Sequence, residues 1–268
     1  MVSEQTRNKL TTIAENEQKV YDNGVADGKQ AEYDAFWDMI THNWTRKDYR
    51  WGLRLKCQYI RPPRKIIPTG DQSVCYMFAD NPDLLKIEKE YFDFSQKSIP
   101  NQTAGYYGHQ RVFANCRNLV EIEDVGMQPA YYDGTFYDCL KLEKIEVVRS
   151  QEDTFYNLQS FGYCTKLQHL VIEGVIGTDF NIKWSPLSPA SLTSIITHLK
   201  DYLGTANGWV YTLTVKASAW TELNAAGFTD EALDWVERKY NIPKDEFLNL
   251  GVTWTDLVSG LGWNLVLA

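Results

Sequence analysis

FADNPDLLKI at residues 78–87 returns as FANCRNLVEI at 113–122, as FYDCLKLEKI at 136–145 and as FGYCTKLQHL at 161–170. Phe78, Phe113, Phe136 and Phe161 open the copies. Three residues on stand Asn81, Cys116, Cys139 and Cys164, and six on stand Leu84, Leu119, Leu142 and Leu167. Nine on stand Ile87, Ile122, Ile145 and Leu170. The copies start 35, 23 and 25 residues apart. A unit of that length is too small to bury its own apolar face, so neighbours must stack into one continuous core. Apolar residues three apart at the end of each copy suit a short strand with alternating side chains, and such strands stack into a narrow parallel sheet. The Phe closes each layer, and Asn or Cys stands where the chain turns. Asn there hydrogen-bonds the adjacent backbone, and a buried Cys serves as a small apolar residue with a weak donor.

This F-x-x-C-x-x-L-x-x-I core resembles leucine-rich repeats of the BspA type. The resemblance covers about a third of the chain. It implies a leucine-rich-repeat solenoid with short parallel strands; with the N-terminal helices and the α/β C-terminal cap read from the flanking residues, the expected fold class is α+β. The expected divisions are an N-terminal helical anchoring and oligomerisation segment with a basic linker at 1–65, the repeats at 66–175, and a capping region at 176–268. Such scaffolds bind many kinds of partner and do not specify a function.

A chain of 268 residues holds one elongated domain or two small ones. The net charge of −8 speaks against a dedicated nucleic-acid binder. Nine Trp, 16 Tyr and 11 Phe supply core, protein interface or sugar-stacking surface. No run approaches the roughly 18 apolar residues of a membrane span. MVSEQTRNKL has no apolar stretch of secretory-signal type; a surface adhesin exported by the general route would need one, and a protein assembled inside the cell and released by lysis would not. Of five cysteines (Cys57, Cys75, Cys116, Cys139 and Cys164), three share one repeat column. An odd count without C-x-x-C spacing predicts reduced, buried thiols rather than a zinc site or a disulfide framework.

Residues 3–22 read as a helix with Leu10, Ile13 and Val20 on one thin apolar stripe. Such a stripe suits pairing with another helix, in oligomerisation or anchoring; it equally suits a helix lying on its own domain. A second helix is predicted at 31–41, where Tyr33, Phe36, Trp37 and Ile40 fall at i, i+3, i+4 and i+7. The stretch IAENEQKVYDNGVADGKQAEYDAFWDMI, residues 13–40, is similar to the N-terminal segment of phage and prophage structural proteins. Their motif runs I-A-E-N-x-x-K-V-Y-x-x-G, then E-Y-D-x-F-W-D, ahead of BspA-type repeats. That resemblance implies a virion protein of tail, baseplate or fibre type. This chain departs from it afterwards: TRKDYRWGLRLKCQYIRPPRK stands where the family continues with a Gly-rich aromatic stretch.

That stretch, 45–65, is locally basic: Arg46, Lys47, Arg50, Arg54, Lys56, Arg61, Arg64 and Lys65 are opposed only by Asp48. It suits docking an acidic neighbour or a phosphate-bearing polymer, with Trp51 and Tyr59 interleaved for stacking. It also suits a solvated linker. Leu10, Ile13, Val20, Arg46, Lys47, Arg50 and Arg54 are the expected assembly contacts. Ile66, Ile67 and Pro68 are expected to form the strand of a capping unit. SQKSIPNQTAGYYG, the excess of the first repeat, is expected to be a contact loop.

Two polar columns line the predicted strands. Eight residues after each Phe stand Lys86, Glu121, Lys144 and His169, and ten after stand Glu88, Glu123, Glu146 and Val171. Alternating sign in the first favours pairing between neighbours. Three stacked glutamates in the second call for compensation by flanking lysines, a cation or a basic partner. These seven charged or titratable residues are the candidate binding face; a plain solvated face is the other reading.

Beyond residue 173, Ser188 is placed to cap a helix with Pro189 at its first position and Leu192, Ile195, Ile196 and Leu199 on its buried face. VYTLTVK follows as a strand, then helices at SAWTELNAAG and TDEALDWVERKY. TWTDLVSGLGWNLVLA closes as helix, Gly break and strand. The four histidines (His42, His109, His169 and His198) lack metal-ligand spacing, and no G-x-S-x-G or P-loop is present. The expectation is a non-enzymatic, homo-oligomeric virion protein without cofactor, metal or nucleic acid. It would contact other virion proteins and a host-surface glycan or protein. A bacterial repeat protein of the interaction or adhesion kind is the alternative.

Overall fold

The structure is a computed structural model that describes residues 58–62, 64–67, 77–95, 111–126, 134–149, 160–203 and 211–268. The fold is mixed α/β with parallel strands in two sheets. The first sheet contains β1 (Lys86–Ile87), β2 (Glu121–Ile122), β3 (Lys144–Arg149) and β4 (His169–Glu173), in that order. The second contains β5 (Phe180–Ile182), β6 (Tyr211–Val215) and β7 (Trp263–Leu267). The helices are α1 (Pro189–Thr197), α2 (Ala217–Ala226), α3 (Asp230–Tyr240), α4 (Lys244–Asn249) and α5 (Trp254–Gly260).

The four sequence copies make the same bonds at the same offsets. The amide of each Phe donates to the carbonyl one residue before the next Phe: Phe78 to Val112, Phe113 to Thr135 and Phe136 to Ser160, each at 2.9 Å. Two residues on, Asp80, Asn115 and Asp138 donate to Ala114, Tyr137 and Gly162 at 2.8–2.9 Å. Seven residues after each Phe the direction reverses. Val120 donates to Leu85, Glu143 to Val120 and Gln168 to Glu143. A loop path that bonds its neighbour at every turn leaves few backbone groups orphaned, which is what lets so little regular strand hold a core together.

The Phe, Cys, Leu and Ile columns are buried throughout, as the spacing predicts. Phe78, Phe113, Phe136 and Phe161 stack at centroid distances of 5.2, 5.8 and 5.3 Å. Phe180 of β5 continues the row, 5.9 Å from Phe161. The described cysteines, Cys116, Cys139 and Cys164, are free thiols. Each donates to the Phe carbonyl of the preceding copy (Phe78, Phe113 and Phe136) at 3.1 Å. Burial raises all three above an ordinary thiol, Cys116 to about 12.

The sheet begins earlier than the columns predict. The strand expected at Ile66–Pro68 is not the neighbour of β1. Ile66 bridges Phe92, and the partner of Lys86 is Tyr59. Leu85 donates to the Gln58 carbonyl at 2.9 Å, and Ile60 is buried in the place of Ile87 one copy back. Tyr59, read from sequence as part of the tail of a basic linker, therefore joins the row beside β1 as an isolated parallel bridge.

At the other end, α1 takes the place of a further strand. Ser188 caps it and Pro189 starts it, as expected. Its serines then close the edge of β4. The Leu170 amide donates to Ser191 Oγ at 2.9 Å, and the Ile172 amide to Ser194 Oγ at 3.1 Å. Ser188 supplies its own amide to the Gln168 carbonyl, as the next copy would. An edge strand with its donors satisfied by side chains cannot recruit another strand there.

The expected strand and helices after residue 210 form at β6, α2, α3, α5 and β7, with Thr229 capping α3 and a capping box of Thr253 and Asp256 at α5. Parallel neighbours need long crossovers. The β5–β6 crossover carries α1, and the β6–β7 crossover carries α2 to α5. The short helix α4 and the strand β5 are additions to the sequence reading.

Candidate functional site

The strand columns expected to bind a partner form an internally paired grid. Lys86, Glu121, Lys144 and His169 are aligned partners across the four strands. Lys86 Nζ lies 3.1 Å from Glu121 and 2.6 Å from Glu123, and Lys144 Nζ lies 2.9 Å from both Glu121 and Glu146. Glu88 is met by Arg61 at 2.8 Å. Arg149, which no column singled out, pairs with Asp124 and with Glu173. The glutamates also hold backbone: the Lys89 amide donates to Glu123 at 2.9 Å and the Asp124 amide to Glu146 at 3.1 Å.

The compensation required by three stacked glutamates thus comes from flanking Lys and Arg side chains. Hydrogen bonding to Lys144 holds Glu121 and Glu146 below the usual carboxylate range, and Arg149 does the same for Asp124. Glu123 and Glu121 raise Lys86, and Glu121 and Glu146 raise Lys144. Lys86, Glu88, Glu121, Glu123, Lys144 and Glu146 are half-buried, and only His169 is exposed. No cluster of three or more His, Cys, Asp or Glu fit to hold a metal occurs among the described residues. Leu10, Ile13, Val20, Arg46, Lys47, Arg50 and Arg54 lie outside the described residues.

A second surface runs along the turns. The residue two after each Phe has positive φ: Asp80 at 60°, Asn115 at 63°, Asp138 at 61° and Tyr163 at 61°. Asp and Asn tolerate that conformation because their short side chains bond locally. Asn115 Nδ2 donates to Asp80 at 2.7 Å, and Arg117 meets Asp138 at 2.7 Å. Tyr163 breaks the series. Its ring stacks on Trp184, centroids 4.7 Å apart, and meets Tyr137 edge-on at 5.4 Å. Tyr163 is 42% exposed and Trp184 38%. Lys183 Nζ stands 5.2 Å from the Trp184 ring. Sequence reasoning noted the aromatic surplus but not this ridge; the Tyr at a position held elsewhere by Asp or Asn was its signal.

A third feature is a cleft of about 510 Å³ lined by Gly174, Val175, Leu199, Lys200, Asp201 and Lys239, with Thr197 and His198 beside them. His198 Nδ1 faces the Ser194 carbonyl at 2.6 Å, so that nitrogen carries the proton. The Thr197 hydroxyl donates to the Thr193 and Ser194 carbonyls at 3.0 and 3.1 Å. With both protons committed to the helix backbone, the two side chains do not form a nucleophile–base couple. Asp201 is paired with Lys239 at 2.9 Å. No helix of the described residues is long and apolar enough to cross a membrane.

Comparison with family models, with curated proteins and with solved structures gave no match.

Proposed function

We propose that this chain is a non-enzymatic structural protein of a tailed phage or phage-like particle. Its N-terminal segment attaches it to other virion proteins, as a homo-oligomer. Its copies form a leucine-rich-repeat solenoid that presents a rigid surface to the host cell or to a neighbouring virion protein. The observation that carries the scaffold half is the recurrence of identical bonds at identical offsets from Phe78, Phe113 and Phe136. A stack that repeats its contacts transmits no preference for one ligand and serves to hold side chains in fixed rows. The half-buried, internally paired Lys–Glu grid supports rigidity rather than a vacant binding face. The particle half rests on the likeness of residues 13–38 to phage structural proteins.

Deleting residues 1–45 tests the attachment. Loss of the truncated chain from particles, with residues 58–268 still folded by circular dichroism, is the expected result. Unchanged incorporation would remove the anchoring role.

A further inference from the structure

The second sheet ends on an open strand. β7 pairs β6 in unbroken parallel register from Trp263 to Leu267, and no strand among the described residues pairs its outer side. The Ala268 amide donates to the Val215 carbonyl at 3.0 Å, and the Ala268 carbonyl accepts the Ala217 amide at 2.9 Å. Bonding direction alternates along a strand. Val266 and Asn264 therefore also address β6, and Leu267, Leu265 and Trp263 hold their amides and carbonyls toward the open side.

The other outer strands are covered. The serines of α1 close β4, and Tyr59 bridges to β1. β5 lies against the fourth copy: Phe180 packs on Phe161, and Ser185 Oγ donates to the Cys164 carbonyl at 3.3 Å. β7 has none of the usual edge protections, because WNLVL carries no charge, no proline and no bulge. It also exposes an apolar side chain on each face, Val266 at 39% and Leu267 at 48%.

An edge with open ladder groups accepts another strand, and the sequence of β7 suits a copy of itself. Two copies related by a two-fold axis run β7 antiparallel to β7, so each residue faces one from the same strand. A charged edge would set like charges opposite one another there, and WNLVL has none. With Leu265 opposite Leu265 of the second copy, Trp263 faces Leu267 and Asn264 faces Val266. That register pairs the open amides and carbonyls of Trp263, Leu265 and Leu267, and it lays the exposed Leu267 beside Trp263 of the other copy.

We propose that β7 is a homodimer contact through which two copies of this chain join their second sheets antiparallel along Trp263–Leu267. It is a different contact from the N-terminal attachment proposed above and does not depend on the virion role.

The test is sedimentation equilibrium and hydrogen exchange on the full chain. The parent should form an assembly of an even number of protomers, with the Leu265 and Leu267 amides protected. Asn264→Lys combined with Val266→Lys sets like charges opposite each other at two exposed positions, and Asn264→Glu combined with Val266→Glu does so with the other sign. Each double variant should weaken the association about tenfold or more, halve the mass and free both amides. Mixing the two should restore the mass, because Lys then faces Glu. Leu267→Pro removes an amide that has no partner among the described residues, and it should halve the mass as well. A parent that is monomeric or has an odd number of protomers overturns the inference, a monomer leaving the edge to a strand of another protein. An even assembly whose Leu265 and Leu267 amides exchange freely places the contact elsewhere and overturns it too. Parental mass in the double variants and in Leu267→Pro overturns it, as does a mixture that stays dissociated while each variant keeps the parent's near-ultraviolet circular dichroism. Should a double variant lose that spectrum, Leu267→Pro alone decides.

Discussion

Phe78 and Phe113 lie ring on ring, centroids 5.2 Å apart and 3° from parallel, although 35 residues separate them in the chain. Phe136 extends the stack at 6°. Phe113 therefore touches the copies on both sides, and truncating it opens a cavity between three layers. Phe113→Ala is expected to lose about 3–5 kcal/mol and Phe113→Leu distinctly less. Urea denaturation measures both.

The cysteine column makes a chemical prediction. Cys116, Cys139 and Cys164 are fully buried, and burial raises each thiol far from its reactive form. Iodoacetamide at neutral pH should leave all three unmodified in the folded chain and alkylate all three in denaturant. Cys139→Ala should lose only about 1 kcal/mol. The Phe113 carbonyl that its thiol meets also accepts the Cys116 amide, so no acceptor is orphaned.

The Lys–Glu grid sets a pH window. Glu121, Glu146 and Asp124 have folded-state values below the unfolded ones. Their contribution is complete above about pH 4–5 and disappears as pH falls through the folded values. Lys86 and Lys144 are raised, so their contribution is complete below about pH 10 and disappears above it. Melting temperature should be flat between these limits and fall on both sides. Lys144→Met should lose about 1 kcal/mol, a figure kept small because Lys144 is more than a third exposed. It should also flatten the acid limb.

Ser191 and Ser194 hold the edge of β4, and their removal is not equivalent to loss of a surface hydroxyl. Ser194→Ala leaves the buried Ile172 amide without its acceptor, at about 1–3 kcal/mol. Hydrogen exchange should accelerate at Ile172 while Ile122 and Ile145, held by neighbouring strands, stay protected.

Where each Phe could be counted from, the sequence was legible. The offsets of three, six and nine residues give the buried Cys, Leu and Ile positions, and the offset of eight gives the aligned strand partners. The helix cap at Ser188 was legible because capping is local chemistry. The start of the sheet was hidden by charge. In WGLRLKCQYIR, Trp51, Cys57 and Ile60 stand at the offsets of Phe, Leu and Ile, but the intervening Arg and Lys read as a linker. Arg61 there serves the grid through Glu88. The six-residue helix α4 is too short for periodicity to reveal. The ridge needs three-dimensional stacking, because Trp184 belongs to no column and meets Tyr163 only when β5 is in place. The ionic grid was half legible: alternation of Lys and Glu predicts pairing, but the amide bonds of Lys89 and Asp124 to the next copy's glutamate depend on register.

The most direct measurement of the virion role is quantitative mass spectrometry of purified particles, with this chain's peptides set against the major capsid protein. The account predicts its presence at a fixed ratio compatible with particle symmetry, a ratio that also locates it on head, tail, baseplate or fibre. Its absence from particles, with the protein recovered instead from host cytosol or cell wall, would contradict the account and favour a bacterial interaction protein built on the same repeats.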